Sequence, residues 1–285
     1  MSVRIAVITN SIRRSLELVE KGLRASVAQA GIEAVIFVDQ NETPLDLPED
    51  LRRSTKLKII HAVVPGVSQA RNLAVYPNVD WLVFCDDDGY MAPDYAMNLE
   101  KLILAHPEVD IFCGSIKRID TGDFYSKRHA IGGDMSHFWN SKLLMGSNFC
   151  VKRTTFEALG KFDESFGAGA KYGSSEETDF AWNAFFNNRK MFYAQELVVY
   201  HVPPFAGQLK NEEIKAFAYG IGKGALVSKW LIKKSKAIVL FELLEMLTYP
   251  VVRSFYDLIK MDLSRIKINI FTFRGRIVGI FRYFA

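Results

Sequence analysis

The sequence predicts an α/β fold, a Rossmann-like and mostly parallel central sheet flanked by helices, with a helical appendage at the C-terminus. Short apolar runs alternate with amphipathic segments over residues 4–88, which is the order of a parallel sheet with crossover helices. One apolar run ends abruptly in Asp86, Asp87 and Asp88, and parallel sheets bind ligands at the carboxyl ends of their strands. From residue 210 onward the chain becomes basic and apolar, which indicates a separate helical region.

The predicted elements follow one another in a strand-helix alternation. Apolar runs without helical periodicity predict strands, and apolar residues at helical spacing predict helices. Gly31 ends the first helix, and Pro65-Gly66 precedes the second, as such residues do at helix boundaries. The expected elements are strands at 4–9, 34–41, 57–64 and 81–88, and helices at 11–30 and 67–76.

Polar residues stand at the ends of three of these strands. Thr9, Asp39 and Asp86 each follow an apolar run, so the fold predicts that they converge on one edge of the sheet, where a nucleotide would lie. The sequence contains neither a G-x-G-x-x-G nor a G-x-x-x-x-G-K-[ST] motif, which excludes the usual dinucleotide fingerprint and the P-loop. A metal ion and side chains would therefore have to hold the phosphates.

The acidic triplet itself favours a metal site. Three adjacent carboxylates repel one another unless a cation lies among them, and oxygen ligands suit Mg²⁺ or Mn²⁺ shared with a phosphate-bearing substrate. A solvated acidic turn is the alternative, since turns favour Asp and Gly.

Length and composition limit the class of protein. The 285 residues, 49% of them hydrophobic, can bury one substantial core and an appendage. We expect a catalytic domain over residues 1–208 and a helical, basic amphipathic region over residues 209–285. The N-terminus lacks the pattern of a signal peptide, so a cytoplasmic location is expected. The three cysteines are widely spaced within apolar runs and are expected to be buried thiols.

The C-terminal region carries most of the positive charge. Residues 210–285 contain 14 Lys and Arg against 6 Asp and Glu, a net charge of +8, so residues 1–209 carry −4 of the total of +4. Charges and Pro250 interrupt its apolar stretches, so no segment of 18 residues can cross a bilayer. The pattern fits either an amphipathic helix at a membrane surface or helices that pack on the body with a solvated lysine face. No nucleic-acid reading motif is present, and no nucleic acid partner is expected.

Several motifs in order resemble a known family. Residues 66–74 (GVSQARNLA), the CDDDGY segment and residues 145–180 are similar to the Gly-x-x-x-Ala-Arg-Asn helix, the Asp-x-Asp element and the acceptor-side block of family two GT-A-fold glycosyltransferases. The resemblance spans roughly residues 4–230. It implies the transfer of a sugar from a nucleotide donor with inversion at the anomeric carbon, and it implies Mg²⁺ or Mn²⁺ as cofactor.

The resemblance also implies roles for single residues. Asp88, Asp86 and His201 would hold the metal, with Asp86 also near the ribose, and Asp87 would be the most replaceable of the three acids. The implied nucleotide-sugar-binding residues are Thr9, Arg13, Asp39, Arg71, Asp86, Asp87 and Asn148. Ordinary alternatives are a strand-end cap for Asp39, a solvated charge for Arg13 and a turn role for Asn148. Asn72, beside Arg71, is expected to be structural.

The general base would come from the acidic group in GSSEETDF. The resemblance implies Glu177 as base, leaves Glu176 open because the family often has Asp at this point, and gives Asp179 a supporting role. Helix capping is the alternative for all three acids. The Gly-rich and Ser-rich residues 166–175 would form a mobile loop over the donor or an inert surface loop. One or two neighbouring aromatic residues are expected to touch sugar, from the set Phe138, Trp139, Phe149, Phe180 and Trp182.

The resemblance, together with the acidic triplet, therefore implies an inverting, metal-dependent glycosyltransferase. Its donor would be a nucleotide-sugar, with UDP the default and GDP and dTDP open. Its acceptor would be a saccharide or lipid-linked saccharide of the cell envelope, with peripheral contact at the inner face of the membrane. The rivals are a catalytically inactive scaffold of the same fold and a sugar nucleotidyltransferase, whose glycine-rich N-terminal loop is missing from AVITNSIRR.

Overall fold

The structure, a computed structural model, describes residues 3–64, 66–130, 132–203 and 209–284. The chain divides into two compact units, one of residues 1–163 and 177–204 and the other of residues 164–176 and 205–285. Residues 164–176 thus group with the C-terminal helices, although the sequence placed them inside a domain that ends at residue 208. Each unit is described by itself below.

The first unit is built on a central sheet flanked by helices. Its strands are β1 Ile5–Ser11, β2 Ile32–Asp39, β3 Leu57–His61, β4 Trp81–Phe84, β5 Gly89–Met91, β6 Ile111–Arg118, β7 Gly133–Asp134, β8 Phe149–Lys152 and β9 Met191–His201. Its helices are α1 Leu16–Val27, α2 Glu49–Arg52, α3 Val67–Leu73, α4 Tyr95–Ala105, α5 Arg153–Ala158 and α6 Glu176–Phe186. The α/β fold predicted from the strand-helix alternation is confirmed.

The sheet runs in the order β3-β2-β1-β4-β8-β6-β9-β5, and β7 pairs with β9. The four strands at its beginning are parallel to one another, as the sequence predicted. β8 then pairs antiparallel with both β4 and β6, and β5 pairs antiparallel with β9. Alternate residues of the central strands enter two buried clusters, one containing Ile5 and Val7 and the other Ala6 and Ile8. Both faces of the sheet are therefore covered, which explains the continuous apolar runs.

Two element boundaries differ from the prediction in ways that affect the site. β1 continues to Ser11, because Ser11 still pairs with Asp39 of β2, and α1 begins only at Leu16. Arg13 lies between them with a φ of 55°, in the left-handed region. β4 ends at Phe84, so the three acids are in a connection and not in the strand.

The second unit consists mainly of three long helices, α7 Leu209–Ser228, α8 Val239–Ile259 and α9 Leu263–Arg282. Glycines let α7 and α9 cross at close range: a Cβ on Gly220 would lie 2.7 Å from the Thr272 oxygen, and one on Gly279 would lie 2.9 Å from the Ile221 Cα. The glycines at 220 and 224 therefore serve helix packing. Within the described part of the chain, no helix is both long enough and apolar enough to span a membrane.

Candidate metal and nucleotide site

The acidic segment is held at both ends by the sheet. It follows β4, which lies between β1 and β8, and it leads directly into β5. Gly89, the first residue of β5, pairs with His201, the last residue of β9. The antiparallel register therefore places the histidine beside the acidic segment, although the two are more than one hundred residues apart.

Asp86, Asp88 and His201 form a cluster of ligand atoms. Each offers one atom, and these atoms all lie within 4.8 Å of one another. The His201 Nε2 is 2.9 Å from Asp88 Oδ1 and 4.0 Å from Asp86 Oδ2. The His201 Nδ1 is 2.8 Å from the carbonyl oxygen of Val202 and must donate its proton there, which leaves Nε2 of the neutral ring as a lone-pair donor. Two carboxylates and an imidazole are a donor set that fits a divalent cation.

The carboxylates of this segment have perturbed pKa values. Burial raises the pKa of Asp86, and it raises that of Asp87 to about 6. Burial also acts on Asp88, but the hydrogen bond and charge of His201 outweigh it and lower the pKa of that carboxyl. The pKa of His201 is raised despite its burial, since Asp88 stabilises the protonated ring. The Asp88 carboxylate and the His201 ring therefore each stabilise the charged form of the other.

Arg71 braces the cluster from the core side. It lies on α3 and is only 2% exposed. Its Nη2 donates to Asp86 Oδ1 at 2.7 Å and to the carbonyl oxygen of Gly146 at 3.2 Å. Asn72 bonds the backbone of Phe162 through both its amide nitrogen and its oxygen, which confirms its structural role. In the Arg-Asn pair of the motif, Arg71 therefore fixes Asp86, and Asn72 fixes the backbone at Phe162.

Arg14 is a site residue that the sequence analysis missed. Its Nε lies 3.1 Å from Asp87 Oδ1, and its Nη2 lies 3.0 Å from Asp88 Oδ2. Arg13, which was expected near the donor, is exposed. Because β1 is longer than predicted and Arg13 takes a left-handed conformation, the next residue is the one that contacts the acids. The double arginine in SIRR was the only sequence signal for it.

Asp87 is more firmly anchored than its middle position suggested. It accepts a hydrogen bond of 2.6 Å from Ser11 Oγ in addition to the Arg14 contact, and it is buried. We expected it to be the most replaceable of the three acids. The structure instead gives it the role of tying the acidic segment to the end of β1.

Asp39 is the last residue of β2, whereas β1 runs two residues beyond Thr9; both residues are buried near the edge of the sheet that carries the triplet. The carboxylate of Asp39 accepts bonds from the backbone and side-chain nitrogens of Asn41 at 3.0 and 2.7 Å, and from the Leu45 nitrogen at 2.6 Å. It therefore shapes the loop after β2. Any contact with a nucleotide would add to this capping role.

The acidic group GSSEETDF lies at the start of α6. Glu176 and Asp179 are buried, and Glu177 is half-buried. Glu177 reaches toward Arg71: a Cβ on Gly146 would lie 3.3 Å from Glu177 Oε1 and 3.1 Å from Arg71 Nη1. Gly146 thus leaves room for the Glu177 carboxylate and the Arg71 guanidinium at the point where a side chain would otherwise begin, and the sequence analysis did not single it out.

Asn148 is placed in the core. It is fully buried, its Nδ2 donates to the carbonyl oxygens of Ser115 and Leu197 at 2.8 Å each, and its Oδ1 accepts from the Tyr95 hydroxyl at 2.7 Å. The implied contact with the donor does not fit this environment, because every polar atom of the side chain is engaged within the protein. We therefore leave Asn148 out of the candidate site.

Most of the aromatic candidates are core residues as well. Phe138, Phe149, Phe180 and Trp182 are buried, and the Trp182 Nε1 donates to Ser141 Oγ. Trp139 is 44% exposed. Of the five, Trp139 is the one whose ring is accessible to a ligand.

The loop of residues 166–175, expected to be either mobile over the donor or inert, packs at its end within the second unit. A Cβ on Gly222 of α7 would lie 2.8 Å from the carbonyl oxygen of Ser174 and 2.9 Å from that of Tyr172. The Ser174 hydroxyl also donates to the Tyr219 carbonyl oxygen. These contacts hold the end of the loop, just before Glu176, against α7.

Comparisons with known proteins give the fold its context. No protein-family model matches the sequence, and no curated protein is similar to it. Solved structures are similar in fold: S. aureus TarS (TM-score 0.64, 16% identity, 85% of this chain and 43% of that chain), and the mannosyltransferase PcManGT from Pyrobaculum calidifontis in complex with GDP-Man and Mn²⁺ (0.65, 17%, 96% and 86%). GalNAc-T7 with UDP, GalNAc and Mn²⁺ is a third (0.58, 13%, 77% and 48%). The chain thus spans less than half of TarS and of GalNAc-T7. At these identities the likeness shows the fold, which is the GT-A fold.

Proposed function

We propose that the protein is a glycosyltransferase that uses a nucleotide-sugar donor and a divalent cation. The observation that carries this proposal is the cluster of Asp86, Asp88 and His201 at the ligand-binding edge of a GT-A fold. PcManGT and GalNAc-T7, which share the fold, hold a nucleotide or nucleotide-sugar together with Mn²⁺. Fold alone does not fix activity, so the argument depends on the side chains.

Asp86, Asp88 and His201 would hold Mg²⁺ or Mn²⁺. The bound ion would offset negative charge that develops on a departing nucleoside diphosphate. Arg71 orients Asp86 from the buried side, while Arg14 neutralises Asp87 and Asp88 from the more exposed side. We propose that Arg14 also contacts the diphosphate, since a guanidinium binds phosphate oxygens as readily as carboxylates.

Glu177 is our proposed general base. Its carboxylate reaches toward Arg71 at Gly146. It would take the proton of the acceptor hydroxyl while that oxygen forms a bond to the anomeric carbon. The bond between that carbon and the diphosphate oxygen would break with its electron pair leaving on the diphosphate, and attack from the face opposite the diphosphate would invert the configuration.

The donor nucleotide and the acceptor are further proposals. UDP is the default nucleotide, with GDP and dTDP as alternatives, and Thr9 and the loop held by Asp39 lie at the nucleotide end of the site. The acceptor would be a saccharide or lipid-linked saccharide used in building envelope polysaccharide. Trp139 is the accessible aromatic candidate for packing against a sugar.

Calorimetric titration with UDP, GDP and dTDP, with and without Mn²⁺, tests the donor site. We expect one nucleotide to bind with Mn²⁺, and the nearly isosteric Asp88→Asn variant to lose at least about tenfold in affinity. Asp94→Asn, which changes an exposed acid at the start of α4, is the matched control and should bind as the wild type does.

Donor hydrolysis by the Glu177→Gln variant tests the base. We expect unchanged nucleotide affinity and a rate reduced by about 100-fold or more. If all three nucleotides fail to bind with Mn²⁺, the catalytic proposal is wrong, and an inactive scaffold of the same fold becomes the better explanation.

A further inference from the structure

The α8–α9 hairpin exposes an unusual amount of apolar surface. Sixteen large apolar side chains between residues 240 and 284 are exposed, against twelve in the rest of the described chain. The turn between the helices is the extreme case, since Ile259 and Met261 are each 84% exposed and Leu263 is 66% exposed. Exposed apolar patches of this kind mark contact sites on soluble surfaces.

A groove between the same two helices extends this apolar surface. It has a volume of about 370 Å³. Val251, Phe255 and Leu258 on α8, and Ile266, Ile270 and Phe273 on α9, line it. Leu258 and Ile266 flank the turn on either side, so the groove and the tip form one continuous apolar face of the hairpin.

The hairpin carries a net positive charge. Residues 239–285 contain seven Lys and Arg and four Asp and Glu, a net charge of +3, and the two acids nearest the turn are Asp257 and Asp262. Both acids are engaged within the hairpin: Asp257 is buried and bonded to Arg253 and Asn269, and Asp262 caps α9 by accepting from the Arg265 nitrogen. The basic side chains beside the tip, Lys260, Arg265 and Lys267, are exposed.

We infer that the tip of the α8–α9 hairpin docks on an anionic lipid surface. The bilayer would take up the apolar side chains at residues 259–263 to the depth of the acyl boundary, and the surrounding lysines and arginine would lie among anionic headgroups. A protein partner would have to present an apolar surface bordered by acidic groups. An anionic bilayer has this arrangement throughout, with an apolar interior beneath a layer of negative headgroups, and it matches a tip whose apolar side chains are bordered by basic ones. The hairpin would lie on the membrane and not cross it, consistent with the absence of a spanning helix in the described chain.

This inference deepens the proposed function without depending on its chemistry. If the acceptor is lipid-linked, a docked hairpin would restrict the enzyme to the surface where that acceptor resides. Vesicle binding requires neither nucleotide nor metal. The vesicle experiment can therefore succeed when the nucleotide titration fails, or fail when the titration succeeds, so the two proposals are tested separately.

Co-sedimentation of the full chain with vesicles tests the inference. We expect binding to phosphatidylcholine vesicles containing about 30% phosphatidylglycerol, and at least tenfold weaker binding to pure phosphatidylcholine vesicles or in 0.5 M NaCl. The Ile259→Ser/Met261→Ser variant should bind the anionic vesicles at least about tenfold more weakly. Since both side chains are almost fully exposed, the variant should keep the wild-type unfolding midpoint.

The matched control removes two exposed apolar side chains elsewhere. Met97 and Leu104 on α4 are 52% and 67% exposed, and the Met97→Ser/Leu104→Ser variant should bind vesicles as the wild type does. Equal loss in both double variants, or no vesicle binding by the wild type, overturns the inference. If the wild type ignores vesicles and light scattering shows that the tip variant alone dissociates an oligomer, a second copy of this chain is the true partner of the hairpin.

Discussion

Replacing Asn148 with alanine tests whether the core of the sheet sets the position of His201. The pairing of β9 with β6 is interrupted, since Gly114 faces Ala194 while the next residue of β6 faces Val198. The Asn148 amide donates to Ser115 and Leu197 on the two strands at this irregularity. His201 lies on the part of β9 beyond it, so Asn148 holds the register that delivers the histidine.

The structure gives the size of the effect. The substitution removes two hydrogen bonds of 2.8 Å and one of 2.7 Å from a fully buried side chain. Each bond contributes about 1 kcal/mol, and a buried partner left without a bond costs about 1–3 kcal/mol. Partial relaxation of the carbonyl groups reduces the sum, so we expect a loss of about 3–4 kcal/mol in the free energy of unfolding.

Urea unfolding measures this loss of stability. Calorimetry with Mn²⁺ and the nucleotide that binds measures the effect of the substitution on nucleotide affinity. Because His201 would shift with β9, we expect the metal-dependent affinity to fall by about tenfold in the molecules that remain folded. Asn187→Ala is the control, since Asn187 is exposed, just after α6, and its side-chain amide donates to Asn183 in the last turn of that helix. A change in unfolding free energy below about 1 kcal/mol, with nucleotide affinity intact, would refute this account of β9.

Two further predictions concern packing and pH. Gly224→Ala should destabilise the helical unit by about 2–4 kcal/mol in thermal or urea unfolding, because the added Cβ would overlap the backbone oxygen of Arg276 and lie 2.8 Å from the backbone nitrogen of Ile280. The opposing gain in helix propensity is only about 1 kcal/mol. As the control, Gly132→Ala should change the unfolding free energy little, since its Cβ would meet nothing closer than 3.7 Å. Burial, with a smaller effect of Arg128, lowers the pKa of His129 to about 4. As the pH falls, the histidine is therefore protonated in the unfolded chain before it is protonated in the folded one, which favours unfolding. The contribution of His129 to the free energy of unfolding is intact above about pH 6.5 and falls by up to about 3 kcal/mol as the pH drops toward 4. Unfolding titrations from pH 7 to 4 should show a shallower decline for His129→Gln than for the wild type, and identical slopes would contradict the assignment.

The parallel half of the sheet was predictable because each of its strands is an apolar run followed by a helical segment. The remaining strands were not, since β5 and β7 have only three and two residues and their partners are distant in sequence. No local pattern reports that β8 enters between β4 and β6. Pairing of this kind depends on packing across the whole sheet.

The candidate site was predictable to the extent that the chemistry of a residue type decided its role. Three adjacent carboxylates and a histidine at a strand end remained metal candidates, and the structure brings Asp86, Asp88 and His201 together. Whether Arg13 or Arg14 faces the acids depended on where β1 ends and on a left-handed φ, which the sequence did not reveal. Asn148 looks polar and accessible in a motif, but burial and three internal bonds exclude it. Gly146 matters because a side chain at this position would crowd Arg71 and Glu177, and no residue pattern in the sequence indicates this.

The pairing of Gly89 with His201 has a consequence for how such a protein can diversify. The Gly89–His201 pair is made by β5 and β9 themselves, whereas the residues between these strands leave after Met91 and re-enter at Met191, at the far end of β9. Loops within that stretch, including the one that carries Trp139, can lengthen or change composition while the ligands keep their spacing. The part of the chain that would choose the acceptor is thereby free to vary independently of the part that would hold the donor.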